Sequence, residues 1–240
     1  MKFVPDLIRH AQRRLESVAF DRLNDGDSFL RCAVLGDASG SMEVAIRSSC
    51  LIASLLSVAL SADIRLFNEA TFAPPVVPRN VDQTVKFVDE ISARGGTCMA
   101  SAIRPFLEER TRIDLFVLVS DEGENERHQN QYFHEVFAAY KETVNPKVRL
   151  FLVSFLSVGE EGLILHRLKE HGVDEECTKQ FRLHPENPDT SKFQALLGMI
   201  ALQLTAMKEH FYAVTFCLTQ NYRFQQHDAD KVGNLICSYL

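Results

Sequence analysis

The sequence predicts an α/β protein: a doubly wound, mostly parallel sheet flanked by helices, with extra helical segments at its N- and C-terminal ends. Three observations carry this. Short apolar runs recur at Phe29–Gly36 (FLRCAVLG), Ile113–Val119 (IDLFVLV) and Val148–Leu156 (VRLFLVSFL), and apolar runs without strict alternation are strands covered on both faces. Stretches with helical spacing separate these runs, as parallel strands require. The chain has 240 residues, 46% of them hydrophobic and 24% charged, enough to bury a core without disulfide staples. The same composition excludes disorder for the bulk of the chain, and with 11 Gly and 8 Pro it excludes collagen-like structure.

The elements follow in order. Pro5 to Leu23 reads as an amphipathic helix, with Leu7, Ile8, Ala11, Leu15 and Val18 on one face and Arg9, Arg13 and Arg14 mostly on the other. The turn NDGD leads into the first strand. Met42–Leu60 is so nearly all-apolar that it predicts a helix buried on most sides. Asp63–Phe67 reads as a strand with Ala70–Phe72 as its partner, and PPVVP as a loop or edge. Helices are expected at Val81–Ile91, Met99–Glu109, Gln129–Val144, Glu160–His171 and Ser191–Glu209, and a short strand at Gln180–Leu183. The division expected is an N-terminal helical extension over 1–26, one domain over 27–209, and a C-terminal extension over 210–240 packed on that domain through Phe211, Tyr212, Phe216, Tyr222 and Phe224.

Charge and cysteine usage narrow the function classes. Lys and Arg number 26 against 32 Asp and Glu, a formal net charge of −6, which argues against a wholly basic nucleic-acid binder. Six scattered cysteines without a Cys-x-x-Cys pair read as buried, reduced thiols. The N-terminus carries charges where a signal peptide needs an apolar stretch, and 48–62 and 193–207 are too short to cross a bilayer. The expectation is a cytoplasmic protein without membrane partners.

Parallel sheets place ligands at the carboxyl ends of their strands. There the first strand runs into Gly36-Asp37-Ala38-Ser39-Gly40-Ser41-Met42, where Asp37, Ser39 and Ser41 stand at i, i+2 and i+4. Thr97 follows Gly95-Gly96 at a helix start, and Asp121 stands at the carboxyl end of the strand IDLFVLVS. In a doubly wound sheet these five residues converge on one crevice. Two carboxylates and three hydroxyls are hard ligands, suited to Mg2+ or Mn2+ rather than Zn2+. Two Asp charges balance a divalent cation, which retains an appetite for one more anionic oxygen. A carboxylate from another molecule is the simplest source.

DASGSM resembles the DxSxS motif of the von Willebrand factor A (VWA) family, whose metal-ion-dependent adhesion site (MIDAS) it forms. Gly95-Gly96-Thr97 resembles that family's threonine loop, and Ser120-Asp121 its TD at the end of the fourth strand. Asp37, Ser39, Ser41, Thr97 and Asp121 match every metal-site position, in order, across roughly 29–207. The resemblance implies a VWA/Rossmann-like fold and a non-enzymatic, metal-dependent protein-interaction module. Its Mg2+ (or Mn2+) takes an Asp or Glu carboxylate from a partner, and binding couples to sliding of the last helix, here Ser191–Glu209. A narrower likeness is to the A domain of intracellular Ro-type (TROVE) ribonucleoproteins, with a helix leading into the motif strand and SDEGEN before FHEVFAAYKE. The chain departs from the pattern in the acidic cluster Glu122-Gly123-Glu124-Asn125-Glu126, expected near the metal, where it would tighten cation binding or repel an acidic partner.

Two alternatives stand beside this reading. A Ro-like component would contact small RNA, with Arg9, Arg13 and Arg14 on phosphate. A metal-dependent hydrolase or phosphatase would use Asp37 or Ser39. The nucleophile elbow Gly-x-Ser-x-Gly fails at both glycines around Ser39, and an aspartyl-phosphate enzyme needs a second carboxylate where Ser39 stands. The eight histidines show no His-Glu-x-x-His pattern and read as surface or structural. Cys98, beside Thr97, reads as a small buried residue at a helix start.

Overall fold

A computed structural model of the chain describes residues 30–60, 62–74, 77, 81–186 and individual positions between 192 and 207. The expected Pro5–Leu23 helix with Arg9, Arg13 and Arg14, the tail from Phe211, and much of the Ser191–Glu209 helix lie outside the described residues. The chain divides into two compact units, Met1–Leu196 and Leu197–Leu240. Every described strand lies in the first; in the second, residues 198–200, 202, 203 and 207 are helical.

In the first unit β1 (Cys32–Asp37) leads through a 3-10 turn (Gly40–Met42) into α1 (Ile46–Ala59), followed by β2 (Asp63–Phe67), β3 (Thr71–Phe72), α2 (Val81–Glu90) and α3 (Met99–Glu108). Then come β4 (Leu115–Ser120), α4 (Phe133–Thr143), β5 (Arg149–Phe155), α5 (Leu163–Glu170), a 3-10 turn (Glu175–Cys177) and β6 (Thr178–Leu183). The sheet order is β3-β2-β1-β4-β5-β6. All neighbours are parallel except β3, which pairs antiparallel with β2 through Leu66–Phe72 and Phe67–Thr71. Successive strands add on one side of β1 up to β3 and on the other side from β4 onward, so the direction of winding switches between β1 and β4. A crevice opens at such a switch, at the carboxyl ends of the strands.

The strands read as the sequence predicts because β1, β4 and β5 are buried along essentially their whole length. Alternate residues divide between two faces. Ala33 and Leu35 of β1, Phe116 and Leu118 of β4, and Leu150 and Leu152 of β5 share one core cluster with α3 and α4. Those helices present Met99, Ala102, Ile103 and Phe106, and Phe133, Val136, Phe137 and Tyr140. Both sets fall at i, i+3, i+4 and i+7, the spacing that puts side chains on one helical face. Phe116 sits at the middle of this layer, edge-on to Phe106 at 5.5 Å and to Tyr140 at 5.1 Å. α1 buries Ile46, Ser49, Cys50, Ile52, Ala53, Ser54, Leu56 and Ser57, as its nearly all-apolar sequence predicts. Cys32, Cys50, Cys98 and Cys177 are free and buried; Cys217 and Cys237 lie outside the described residues. Among the described residues no helix is long and apolar enough to cross a membrane.

At the amino ends of the strands, polar side chains close the layer. The buried Tyr140 hydroxyl accepts the Ile113 N–H at 2.6 Å and donates to the Thr111 carbonyl at 2.8 Å. Asn145 Nδ2 donates to the Ile113 carbonyl at 2.8 Å, and its Oδ1 accepts the Lys147 N–H at 3.1 Å, turning the chain through Pro146 and Lys147 into β5. Tyr140→Phe keeps the ring but orphans a buried amide. It should lower unfolding free energy by about 1–3 kcal/mol in urea titration, with an unchanged denaturant slope.

Candidate metal centre

Asp37 is the last residue of β1 and has no exposed surface. Its oxygens are held from both sides of the switch. Oδ1 accepts the Ser39 N–H at 2.9 Å, and Oδ2 accepts the Ser120 hydroxyl at 2.5 Å. The second bond follows from register: Gly36 stands opposite Val119, so Asp37 ends level with Ser120 on the adjoining strand. Burial pushes the Asp37 carboxyl up from 3.8 to about 6; the Ser120 and Ser39 donors pull it down, and the nearby Asp121 charge adds to the rise. A carboxylate this costly to ionise suits a neighbouring cation, which restores the charged form.

After Asp37 the chain turns so that the Ser39 and Ser41 hydroxyls lie 3.1 Å apart. Ser39 is buried and Ser41 exposed, so the pair runs from the interior to solvent. The turn is zipped to the Gly95-Gly96 loop: Arg94 N–H donates to the Ala38 carbonyl at 3.0 Å and Gly40 N–H to the Gly95 carbonyl at 2.9 Å. A Cβ on Gly40 would stand 3.2 Å from that carbonyl, and Gly95 has φ +74°, so both glycines answer a local need.

Thr97, buried, is fixed through its main chain. Its N–H donates to Asn125 Oδ1 at 2.8 Å, and its carbonyl accepts Asn125 N–H at 3.1 Å and Glu126 N–H at 3.0 Å. The preceding Gly96 N–H donates to Glu69 Oε1 at 3.2 Å. Cys98 N–H donates to the Asn68 carbonyl at 2.7 Å, and burial pushes the Cys98 thiol up, in keeping with a packed rather than reactive residue. Half-buried Asp121 accepts the Gly123 N–H at 2.9 Å and lies near enough to Asp37 to raise its carboxyl. The structure thus joins Asp37, Ser39 and Ser41 directly, ties the Thr97 loop to both the Ser39–Ser41 turn and the 121–126 loop, and starts that second loop at Asp121, next in the chain to the Ser120 that donates to Asp37.

The acidic cluster requires a correction. Glu122 and Glu124 do not face the crevice; both are buried. Glu122 takes φ +63°, which turns its side chain inward, where it accepts the Ile164 N–H at 3.0 Å at the start of α5, Gln180 Nε2 at 2.5 Å and the Ser154 hydroxyl. Glu124 accepts the Ala100 N–H of α3 at 3.1 Å and the Phe133 N–H of α4 at 3.0 Å, with Arg167 at 3.9 Å. Burial pushes its carboxyl up to about 7; the helix amides and Arg167 act in the opposite direction. Free N–H groups and the positive dipole end of a helix attract carboxylates, so two glutamates here fasten helices rather than bind cations. The motifs include Ser120, Glu124 and Asn125 but do not show their roles: Ser120 donates to Asp37, Asn125 accepts from the Thr97 amide, and Glu124 fastens α3 and α4. Those roles depend on strand register and on the turn at Glu122, which no local spacing encodes.

Among the described residues, no three His, Cys, Asp or Glu side chains gather as a metal-holding group. The candidate centre is instead mostly hydroxyl. It fits a small cation by its donor chemistry: hydroxyl and carboxylate oxygens are the hard ligands that Mg2+ takes, and the Ser39 and Ser41 hydroxyls, hydrogen-bonded to each other at 3.1 Å, are close enough to turn toward one point.

No protein-family model and no curated protein matches the chain. Among solved structures it is similar to the Ro (RSR) protein of Deinococcus radiodurans, at 17% identity over 58% of this chain and 30% of that one, with a TM-score of 0.41. It is also similar to a von Willebrand factor type A protein from Catenulispora acidiphila, at 12% identity over 72% of this chain and 42% of that one, with a TM-score of 0.46. RecJ of Thermus thermophilus, solved in complex with Mn2+, matches at 16% identity over 70% of this chain and 22% of that one, with a TM-score of 0.23. The chain spans less than half the length of each. The six-stranded, mostly parallel sheet with its switch between β1 and β4 is a VWA/Rossmann-like α/β fold.

Proposed function

We propose that Asp37, Ser39, Ser41, Thr97 and Asp121 hold Mg2+ or Mn2+, and that the module binds a protein partner by offering the cation's remaining position to an Asp or Glu carboxylate. The observation that carries this reading is the meeting of the hydrogen-bonded Ser39 and Ser41 hydroxyls with the buried Asp37 carboxylate in one turn at the sheet's switch point. When bound, the cation supplies positive charge at the mouth of the crevice. The chain's own residues shape it: Ser120 and the Ser39 amide aim Asp37, and the 94–97 loop braces the serine turn. The site is read as one of binding because its donors, carboxylates and hydroxyls, are those that hold a hard cation.

Isothermal titration with Mg2+ and with Mn2+ should show one site in the wild type. Ser41→Ala or Asp121→Ala should weaken it by about 10–100-fold. Absence of heat and of any melting shift in the wild type would leave a fold without the metal function. Peptides selected from a random display library should share an Asp or Glu and elute with EDTA; selected peptides indifferent to EDTA would overturn the partner half of the reading.

A further inference from the structure

The loop from Asp121 to Glu126 begins with one proposed ligand and ends by gripping another. Thr97 has three main-chain hydrogen bonds to it, and the one to its amide comes from a side chain, Asn125 Oδ1 at 2.8 Å. Asn125 itself is exposed, in contrast to the buried Glu122 and Glu124 on either side of Gly123. An exposed amide side chain folded back onto a buried residue's main chain gives up solvent freedom for one contact. That contact fixes the peptide from which the Thr97 hydroxyl projects.

We propose, resting on the metal reading above, that Asn125 is a positioning residue. It makes the Thr97 corner of the site rigid and so sets the preference for a small octahedral cation over Ca2+. Mg2+ tolerates little departure from octahedral geometry, whereas Ca2+ accepts irregular shells with longer bonds. Loosening one corner therefore penalises Mg2+ selectively. Groups that orient metal ligands without touching the metal commonly govern affinity in this way.

The test has a metal-free arm and a metal arm. In EDTA, hydrogen exchange read by NMR should show the Thr97 amide protected in the wild type and in Asn125→Asp, which keeps the acceptor, and exposed in Asn125→Ala. In calorimetric titration with MgCl2 and with CaCl2, Asn125→Ala should lose about tenfold in Mg2+ affinity with little change for Ca2+. Asn125→Asp should keep the wild-type ratio, because its added charge acts on both divalent ions alike. Tyr140→Phe, at the opposite edge of the sheet, serves as a destabilised control whose ratio should not move. Unchanged Thr97 exchange in Asn125→Ala, unchanged Mg2+ affinity, or an equal loss for both cations would each overturn the proposal while the metal site stood. A wild type that binds neither cation would instead overturn the metal reading, and this proposal with it.

Discussion

Asp37→Asn should yield a protein that melts higher than wild type in EDTA at neutral pH and gains nothing from Mg2+. Asp37 has no exposed surface, and burial raises its carboxyl to about 6 in the fold against 3.8 for the free group. The folded state therefore favours the proton. The stability this provides is complete below about pH 4 and is lost as pH rises through about 6. Above that, the metal-free fold carries a buried charge costing about 1–3 kcal/mol. Asparagine removes the charge and keeps an oxygen for the Ser39 amide, while Ser120 Oγ, which already accepts the Glu122 N–H at 2.9 Å, has a second lone pair for the new amide. Differential scanning calorimetry in EDTA from pH 4 to pH 8 should show the variant's advantage growing over this window. Adding Mg2+ should then raise the wild-type melting temperature, by linkage to binding, and leave the variant unmoved. A wild type already more stable than the variant in EDTA at pH 8 would contradict the buried-charge account.

Phe116→Ala should be the most damaging single truncation in the described core, costing about 3–5 kcal/mol. Phe116 is fully buried on β4, a central strand, and its ring meets Phe106, Phe137 and Tyr140 edge-on at 5.5, 6.4 and 5.1 Å. Those neighbours come from two helices, α3 and α4, so the void cannot close by moving one of them. Edge-to-face geometry adds to the loss beyond the buried area. Urea unfolding should show a lower midpoint with the slope kept. A cost below about 1 kcal/mol would mean that the helices collapse onto the sheet far more readily than close packing implies.

How far the sequence foretold this arrangement depends on what each segment's local chemistry encodes. The strands through Leu115–Ser120 and Arg149–Phe155 were legible because burial on both faces demands an unbroken apolar run. Helix starts were less so. Expected at Gln129, α4 begins at Phe133, because Gln129 and Asn130 take φ +51° and +64° in a tight turn closed by His128 and Gln131. The Glu135 carboxylate then accepts the Tyr132 N–H at 2.7 Å and fixes the first turn. α5, expected from Glu160, begins at Leu163, because Glu160 instead accepts the Ser157 N–H at 2.7 Å in the loop. α1 begins at Ile46 rather than Met42, since the serine turn uses the intervening residues. β6 starts two residues before the expected Gln180, because an edge strand carries polar side chains that hide its period. In the site, the DxSxS spacing showed which side chains could meet. The inward course of Glu122 and Glu124 was invisible, since it depends on one left-handed backbone turn and on helix termini far along the chain.

The turn at Pro146–Lys147 has a practical use. It enters β5 at the end opposite Asp37, and a strand of 7 residues separates the two edges, about 20 Å of extended chain. Lys147 is exposed there. A biotin or a sensor-chip linkage fixed at that lysine holds the molecule with its crevice turned toward the flowing analyte, so immobilisation and capture do not compete for the same end of the sheet.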